Sequence, residues 1–502
     1  MLAVTWEFGI KLIPREIVVM LQGYYRIGIL MLTLLFFLNS CATTGSKNHI
    51  IMIDKKGNLL YPNVEDHSKV CNEGVYFQEI VDKINKSGKK MILIFIHGGL
   101  NGEEDGIKNA EDLAQEIENA GYYPLFITWN SGLMSSYWDH LTLIRQGEEW
   151  KNFGFITAPF YLLSDALSGI ASYPTLIVQQ LETGPSKGTF RKGLIVENAE
   201  KIEASINKHN ADINKSNADW GLEFPNPPLQ AGEDKRGFLN RYIFSPLLFI
   251  TTAPVKLISS PFVGVLGKNS WRIMERRVTL LFRRSNELDI RDRNNEESSA
   301  MLYCKDKDFE TIPECLENQT PSGALSRFLL YLNYKVNTDS HEVTLIAHSM
   351  GAIVANQMLI NSPEIKYKNI VYMGAASSIS DFESSVIPYM QKHKETNFFN
   401  LMLHPYAESG EINYLDIPPR GSLLEWLDNY YTEPRTLLDR RMGKYLNIMQ
   451  VMHTIDPKVR DRIYLRYFDV SSDSKYPQSH GEFNNRSFNF WSSKFWFEGK
   501  IK

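Results

Sequence analysis

The stretch VTLIAHSMGAIVANQML, residues 343–359, places a serine between two different hydrophobic patterns. Residues 343–347 form a short apolar run with β-branched side chains, which predicts a strand buried on both faces of a sheet. Residues 352–359 have apolar side chains at helical spacing. Ser349 therefore lies at a predicted strand-to-helix turn.

The neighbours of Ser349 are small. A nucleophilic serine is presented on a strained turn, and the residues two positions before and after it must be small so that strand and helix approach closely. Ala347 and Gly351 occupy these positions. Glycine is usual at the first of them, so alanine is a mild departure. Serine is also a favoured helix N-cap, so this motif alone leaves a structural serine and a nucleophile as alternatives.

A second motif lies upstream. The segment KKMILIFIHGGLNG, residues 89–102, is another buried strand pattern, and it runs into a histidine and two glycines. Glycines after such a strand let backbone N–H groups face an incoming carbonyl oxygen. We therefore expect an oxyanion hole formed near Gly99 and Leu100 together with the N–H of Met350. A tight turn before a helix near residues 107–121 is the alternative for this motif taken by itself.

Together and in this order, AHSMG and FIHGG resemble motifs of the α/β-hydrolase family, in particular its lipases and esterases. The resemblance covers residues 91–129 and 342–496. It implies an α/β fold with a mostly parallel sheet flanked by helices, and it implies that an acid and then a histidine follow the serine. It implies no metal or organic cofactor, and no cysteine and histidine spacing in the chain suggests a metal site.

The resemblance points to His480 as the general base. Residues 462–470 alternate like a final strand, and the polar loop SSDSKYPQSHGEFNN that follows carries this histidine. The base must reach the serine hydroxyl from such a loop, where it acts as base first and acid later. The other histidines near the motifs lie at strand ends, beside the serine or in a predicted helix.

The acid of the triad has three candidates. The family commonly carries it a few residues beyond the strand predicted at residues 397–405, where Glu408 is the first choice and Glu411 comes next. Asp381, after the strand at residues 369–376, occupies the other position that the family uses. For each of the three residues, the alternative is a solvated surface carboxylate.

About 200 residues separate the strand predicted at residues 122–129 from the nucleophile strand, far more than a helix and its loops need. We expect a cap inserted there, whose apolar tracts at residues 153–181 and 242–267 are broken by prolines. This predicts short kinked helices that cover the active site or dip into a bilayer surface. The basic stretch WRIMERRVTLLFRRS follows. It is either a helix packed on the core or a segment that meets anionic headgroups.

The expected organisation is a signal peptide at 1–40, a tether and N-terminal segment at 41–85, core at 86–150, a mainly helical cap at 151–320 and core at 321–502.

The N-terminal segment has the pattern of an export signal. IGILMLTLLFFL, residues 27–38, is too short to span a membrane but has the length of a signal-peptide core. LNSC at its end resembles a bacterial lipobox, which implies lipidation of Cys41 and a membrane-anchored lipoprotein of the bacterial cell envelope. Of the other cysteines, Cys304 and Cys315 are either a local disulfide or a free pair.

The composition is that of an ordinary globular protein, with 43% hydrophobic and 22% charged residues. The formal net charge of -4 gives no signature of nucleic-acid binding. We expect a serine hydrolase of carboxylic esters, with a small-molecule or lipid ester as substrate and with membrane contact through the lipid anchor and the apolar cap. An amide or thioester hydrolase or acyltransferase on the same triad, and a non-catalytic membrane-anchored binding protein on this scaffold, are the alternatives.

Overall fold

The computed structural model describes residues 49–60, 73–99, 103–145, 148–150, 154–183, 229–231, 245–283, 323–336, 340–412, 419–468 and 475–497 of the 502-residue chain. All of them belong to one compact unit, Asn48–Lys502. The predicted signal peptide, the four cysteines and Leu100 lie outside the described residues.

Among the described residues, the centre of the protein is a sheet of nine strands, of which eight are parallel to one another. Their order is β2-β1-β4-β3-β8-β9-β10-β11-β7, and only β2 is antiparallel to its neighbour. A separate antiparallel pair is formed by β5 and β6. The strands are β1 (Ile50–Ile53), β2 (Leu59–Leu60), β3 (Met91–Ile96), β4 (Tyr122–Trp129), β5 (Ile144–Arg145), β6 (Glu148–Glu149), β7 (Leu229–Ala231), β8 (Glu342–His348), β9 (Tyr367–Met373), β10 (Asn397–Met402) and β11 (Ile463–Phe468).

Helices cover the sheet. The longer ones are α1 (Glu73–Lys86), α2 (Glu103–Asn119), α3 (Leu133–Thr142), α4 (Gly154–Thr183), α5 (Ser245–Phe282), α6 (Ala324–Lys335), α7 (Gly351–Asn361) and α8 (Ile379–Lys392). The shorter ones are α9 (Pro405–Gly410), α10 (Leu423–Trp426), α11 (Tyr445–Met449), α12 (Pro457–Arg460) and α13 (Ser493–Trp496). This confirms the predicted α/β architecture of a mostly parallel sheet flanked by helices.

The core lies on both faces of the sheet because successive side chains of a strand point in opposite directions. In β3, Ile92, Ile94 and Ile96 pack into one cluster with α1, α6 and α7, whereas Leu93 and Phe95 pack into another with α2. All of these β3 side chains are buried. Strands covered on both faces are continuously apolar, which explains the uninterrupted run in the sequence.

The segment between β4 and β8 differs from expectation. The two apolar tracts form two long helices, α4 and α5, and not short kinked ones. Pro254 and Pro261 lie inside α5 and do not divide it. The C-terminal half of α5 carries the basic stretch, and there Trp271, Met274 and Leu281 are buried in the core. The alternative of a helix packed on the core is therefore the correct one for this stretch.

A buried ion pair fixes α5 to the rest of the domain. The guanidinium of Arg277 donates a 2.8 Å hydrogen bond to the Asp139 carboxylate of α3, and both side chains are almost fully buried. The same guanidinium donates to the backbone oxygen of Asn130 at 3.1 Å. Removal of one partner from such a pair leaves a buried charge without compensation, so the pair fixes how α3 and α5 meet.

The segment between β4 and β8 also contributes a strand. β7 lies parallel to β11 at the edge of the sheet, with Arg466 paired to Leu229 and Phe468 paired to Ala231. The pattern at residues 462–470 correctly predicted β11, but no pattern predicted that the three residues of β7 extend the sheet beyond it.

Candidate active site

Ser349 adopts a backbone conformation that serine rarely takes. Its φ of 53° lies in the left-handed region, which costs a non-glycine residue roughly 1–2 kcal/mol. The surrounding main chain enforces it, because the Ser349 N–H donates to the Met373 carbonyl at 2.9 Å and its carbonyl accepts from Ala376 N–H at 3.0 Å. Ser349 thus occupies a strained turn between β8 and α7, where strain is typical of functional residues.

Close packing explains the glycine after this serine. A Cβ atom at Gly351 would lie 2.6 Å from the Ile96 carbonyl oxygen and 2.9 Å from that of His97. Only glycine therefore lets α7 begin this close to the end of β3. On the other side of the serine, the methyl group of Ala347 is fully buried without displacing the strand.

His480 meets Ser349 although 131 positions separate them in the chain. Its Nε2 lies 2.8 Å from Ser349 Oγ, within hydrogen-bond distance. The contact is possible because β8 and β11 are parallel, so the loops that follow them emerge at the same edge of the sheet. The structure thus brings together the predicted nucleophile and the predicted base.

The imidazole of His480 is enclosed. Gly374 has a φ of 53°, and a Cβ there would lie 3.1 Å from both Cε1 and Nδ1 of His480. The His348 ring centroid is 5.3 Å from that of His480. Burial, and to a smaller extent nearby His348, hold the pKa of His480 well below its ordinary value of 6.5. The imidazole is therefore neutral near pH 7, as a general base must be.

His348 holds the main chain of His480. Its Nε2 lies 3.0 Å from the His480 carbonyl oxygen, which only accepts, so Nε2 carries the proton and donates. Burial lowers the pKa of His348 to about 4, which keeps the ring neutral. The sequence analysis identified His348 only as a neighbour of Ser349 and did not predict this contact. Its position directly before Ser349 was the one sequence feature that pointed to it.

The carboxylates differ from the predicted arrangement. Glu408, the first choice for the acid, is buried and accepts a hydrogen bond from Ser422 Oγ, not from His480. Asp381 caps α8 through reciprocal bonds with Ser378. Glu411 does reach His480, but its Oε2 accepts from the backbone N–H at 2.9 Å.

Within the described part of the chain, Nδ1 of His480 has no hydrogen-bond partner. The predicted bond from Glu408 to the imidazole is therefore not formed, and neither Glu411 nor Asp381 forms it instead. The physical reason is local, since Glu408 lies in the first turn of α9, beside Ser422. His480 is instead held through its peptide groups, by Glu411 at its N–H and by His348 at its carbonyl oxygen.

The glycines after β3 adjoin Ser349 and Met350. A Cβ at Gly98 would lie 3.0 Å from Ser349 Cβ, and a Cβ at Gly99 would lie 3.3 Å from Met350 Cβ. Met350 precedes the first turn of α7, where backbone N–H groups have no intrahelical acceptor. The two segments that we expect to form an oxyanion hole therefore lie side by side.

His97 orients the first of these segments. It donates from Nδ1 to the Gly98 carbonyl at 2.6 Å and accepts from the Trp129 N–H at 3.2 Å, so its tautomer is fixed. Burial lowers its pKa to about 4. Because the peptide is trans, the Gly99 N–H points away from the side on which His97 holds the Gly98 carbonyl. This geometry makes His97 a structural group and not a proton acceptor from Ser349.

Comparison with protein-family models, with curated proteins and with solved structures finds no match for this chain. Among the residues that the structure describes, no group of three or more histidine, cysteine, aspartate or glutamate side chains is arranged to hold a metal ion.

We expect Glu411 to act on His480 through position and not through charge. Glu411→Ala removes the acceptor of the His480 N–H, and we expect it to lower kcat by roughly 10²-fold, on the scale of a misplaced catalytic group. Glu411→Gln keeps an oxygen acceptor there and should restore most of the activity. Steady-state kinetics of both variants decide the point. Equal, severe losses in the two would instead identify Glu411 as the charged acid of a triad.

Glu408 is expected to control stability and not turnover. Burial raises its pKa to about 8, so between the ordinary value of 4.5 and about 8 the folded protein binds a proton that the unfolded chain releases. Stability should therefore fall as pH rises through this window, by roughly 3–5 kcal/mol for this group. Glu408→Gln stays neutral and should remove that decline, measured by urea unfolding at pH 5 and pH 8.5. A large loss of kcat in this variant would contradict the contacts of Glu408.

Proposed function

We propose that the protein is a serine hydrolase of the α/β-hydrolase type that cleaves carboxylic esters through an acyl-enzyme, with residues 151–320 as its cap. The observation that carries the proposal is the 2.8 Å contact between Ser349 Oγ and a buried, neutral His480, with the serine on a strained turn. An ordinary N-capping serine requires neither the left-handed backbone nor an imidazole at its hydroxyl.

The mechanism follows from the positions of the atoms. Ser349 Oγ attacks the ester carbonyl carbon while His480 Nε2 takes its proton. The oxyanion that forms is stabilised by the backbone N–H groups of Gly99 and Met350. His480 then gives the proton to the departing alkoxide, which leaves an acyl group on Ser349. Water attacks this acyl group while His480 accepts a proton from the water. His480 then returns that proton to Ser349 Oγ as the bond between Oγ and the acyl carbon breaks, which releases the carboxylic acid and regenerates the serine.

The position of the base predicts the pH dependence. His480 must be neutral to accept the serine proton, and its burial lowers its pKa, so the active form persists below pH 6.5. The acid limb of kcat/KM against pH should therefore lie below the pH at which an ordinary histidine titrates. The measurement is hydrolysis of a soluble ester between pH 4 and 9, with circular dichroism to confirm folding at each pH. An acid limb above pH 6.5 would be inconsistent with a desolvated base.

A fluorophosphonate probe tests the proposal, because it reacts with activated serines and requires no knowledge of the substrate. We expect labelling of the wild-type protein at Ser349, identified by peptide mass spectrometry. A screen of acyl esters of increasing chain length then separates an esterase from a lipase, and parallel amide and thioester substrates test the other bond types.

One observation favours the non-catalytic alternative. No described carboxylate bonds to His480 Nδ1, so nothing there stabilises the imidazolium that forms during turnover. A binding protein on the same scaffold would not need such a partner. Absence of labelling at Ser349, together with no turnover of any ester, amide or thioester, would favour that function.

The predicted lipid anchor at Cys41 would place this hydrolase at a bacterial membrane. Mass spectrometry of the mature N-terminus tests it, since lipidation adds the mass of the acyl chains to Cys41. Release of a soluble Cys41→Ser protein under conditions that keep the wild type on membranes would support the same conclusion.

A further inference from the structure

The first five turns of α4 expose an apolar surface. Among the described residues, 154–171 is the one helical segment that is long and apolar enough to cross a membrane, and only 17% of it is buried. The most exposed side chains include Phe160 at 73% and Ile156 at 65%. A stripe follows the helix at alternating steps of four and three residues, which is one face of a helix. Its members are Ile156, Phe160, Leu163, Leu167 and Ile170.

The single charged residue of this segment points the other way. Asp165 is 9% exposed, and its carboxylate accepts from Tyr137 Oη at 3.0 Å and from Asn269 Nδ2 at 2.9 Å. His140 Nε2 lies 3.1 Å from the same carboxylate. Over residues 154–171, α4 therefore has its charged side chain inside and its apolar side chains outside. This reverses the pattern of a helix on a water-exposed surface.

Close packing fixes which face is exposed. A Cβ at Gly169 would lie 2.9 Å from the Pro261 carbonyl oxygen, so α4 lies directly against α5 at this glycine. Asn269 of α5 and Tyr137 of α3 also hold α4 through Asp165. Since three contacts on the inner side determine the rotation of α4, the stripe cannot turn inward without breaking them. α5 adds the exposed apolar side chains Val255 and Phe262.

We propose that the stripe on α4 lies in the interfacial layer of a lipid bilayer and holds the domain against the membrane. Every exposed side chain between residues 154 and 171 is uncharged, so the stripe offers no ionic group to fix the register of a protein partner, whereas a hydrocarbon surface needs none. α4 lies along the surface and does not cross it, because its inner face is bound to α3 and α5.

The length of the predicted tether is consistent with a domain held against the membrane. Cys41 precedes Asn48, where the compact unit begins, by seven residues, and seven extended residues span at most about 25 Å. A lipidated Cys41 would therefore keep the start of the unit near the bilayer. The stripe itself is independent of the anchor and of the proposed hydrolase activity.

The test is to measure the surroundings of the stripe in the full-length protein on vesicles of phosphatidylethanolamine and phosphatidylglycerol. A nitroxide is introduced at Leu163 through a genetically encoded ketone side chain, which leaves the four native cysteines untouched. The matched control is Leu446, an apolar side chain of α11 that is 41% exposed. Power saturation then compares collisions with oxygen, which concentrates in lipid, and with a water-soluble nickel chelate.

We expect the Leu163 label to collide several times more often with oxygen than with the chelate, and the Leu446 label to show the reverse. Chelate access at Leu163 equal to that at Leu446 would overturn the proposal, because the stripe would then face water. Protection of Leu163 from both reagents would also overturn it and would indicate a protein partner or a second copy of the chain.

A second variant adds a functional readout. Leu163→Glu should reduce turnover of an ester presented in vesicles at least tenfold and leave turnover of a soluble short-chain ester unchanged, whereas Leu446→Glu should change neither. Equal turnover of vesicle ester by Leu163→Glu and wild type would contradict the proposal. If no ester is turned over at all, the proposed function fails, while the spin-label result still decides the membrane contact.

Discussion

Replacement of Ser349 by alanine should reduce turnover by about 10⁶-fold, the scale observed when a protease loses its nucleophilic serine. The change removes one oxygen atom, the only group that His480 Nε2 contacts on this residue. The backbone bonds from Ser349 to Met373 and Ala376 involve main-chain atoms and are kept by alanine. The loss should therefore occur without unfolding, and fluorophosphonate labelling should disappear with it.

The matched control is Ser377→Ala. Ser377 is a fully buried serine after β9, and its hydroxyl has no hydrogen-bond partner in the described structure. Its loss should leave labelling and turnover close to wild type. If the Ser349 variant is still labelled at full rate while the control behaves as expected, another residue is the nucleophile.

Replacement of His480 by alanine should have an effect of similar size. Removal of the base from a serine protease costs about as much as removal of the nucleophile, roughly 10⁶-fold in kcat. The side chain fills a closed space beside Gly374 and His348, so its loss leaves a cavity shaped for an imidazole ring. We expect added imidazole to restore part of the activity, which a purely structural role of His480 would not allow.

His453→Ala is the control for this experiment, because the His453 side chain is exposed, in the 3-10 turn Met452–Thr454, and it forms none of the contacts described for Ser349. It should retain wild-type activity and show no response to imidazole. Full turnover in His480→Ala would mean that the hydroxyl of Ser349 is activated by a different group.

The arrangement of the sheet was largely predictable because each central strand is buried on both faces. Continuous apolar runs are then the direct result of the fold, and the strand predicted at residues 122–129 has the bounds of β4. Ser349 and His480 were expected to meet because each follows a strand of a parallel sheet, so that both lie at the carboxyl edge of that sheet. These features depend on the local hydrophobic pattern and on the order of the strands in the chain, and both can be read from the sequence.

The acid could not be chosen in the same way. Glu408 and Glu411 are three residues apart, so their spacing after β10 is almost the same, and the structure separates them only through their partners. Ser422 lies 14 residues beyond Glu408, and His480 lies 69 residues beyond Glu411. The direction of each carboxylate depends on such distant contacts. Strand β7 was missed for a similar reason, since three residues are too few for a periodic pattern.

The place of β7 in the sheet has a consequence for the order of folding. Leu229 to Ala231 pair with residues 466 to 468, so this edge of the sheet joins segments more than 230 positions apart. During synthesis β7 leaves the ribosome long before β8, β9, β10 and β11, and its backbone groups have no strand to pair with until β11 is complete. Contacts of such large sequence separation slow folding, because the chain entropy of closing the loop is lost before the pairing is gained. We expect the far edge of the sheet to close last, and β7 to reach its native pairing only together with the C-terminal strands.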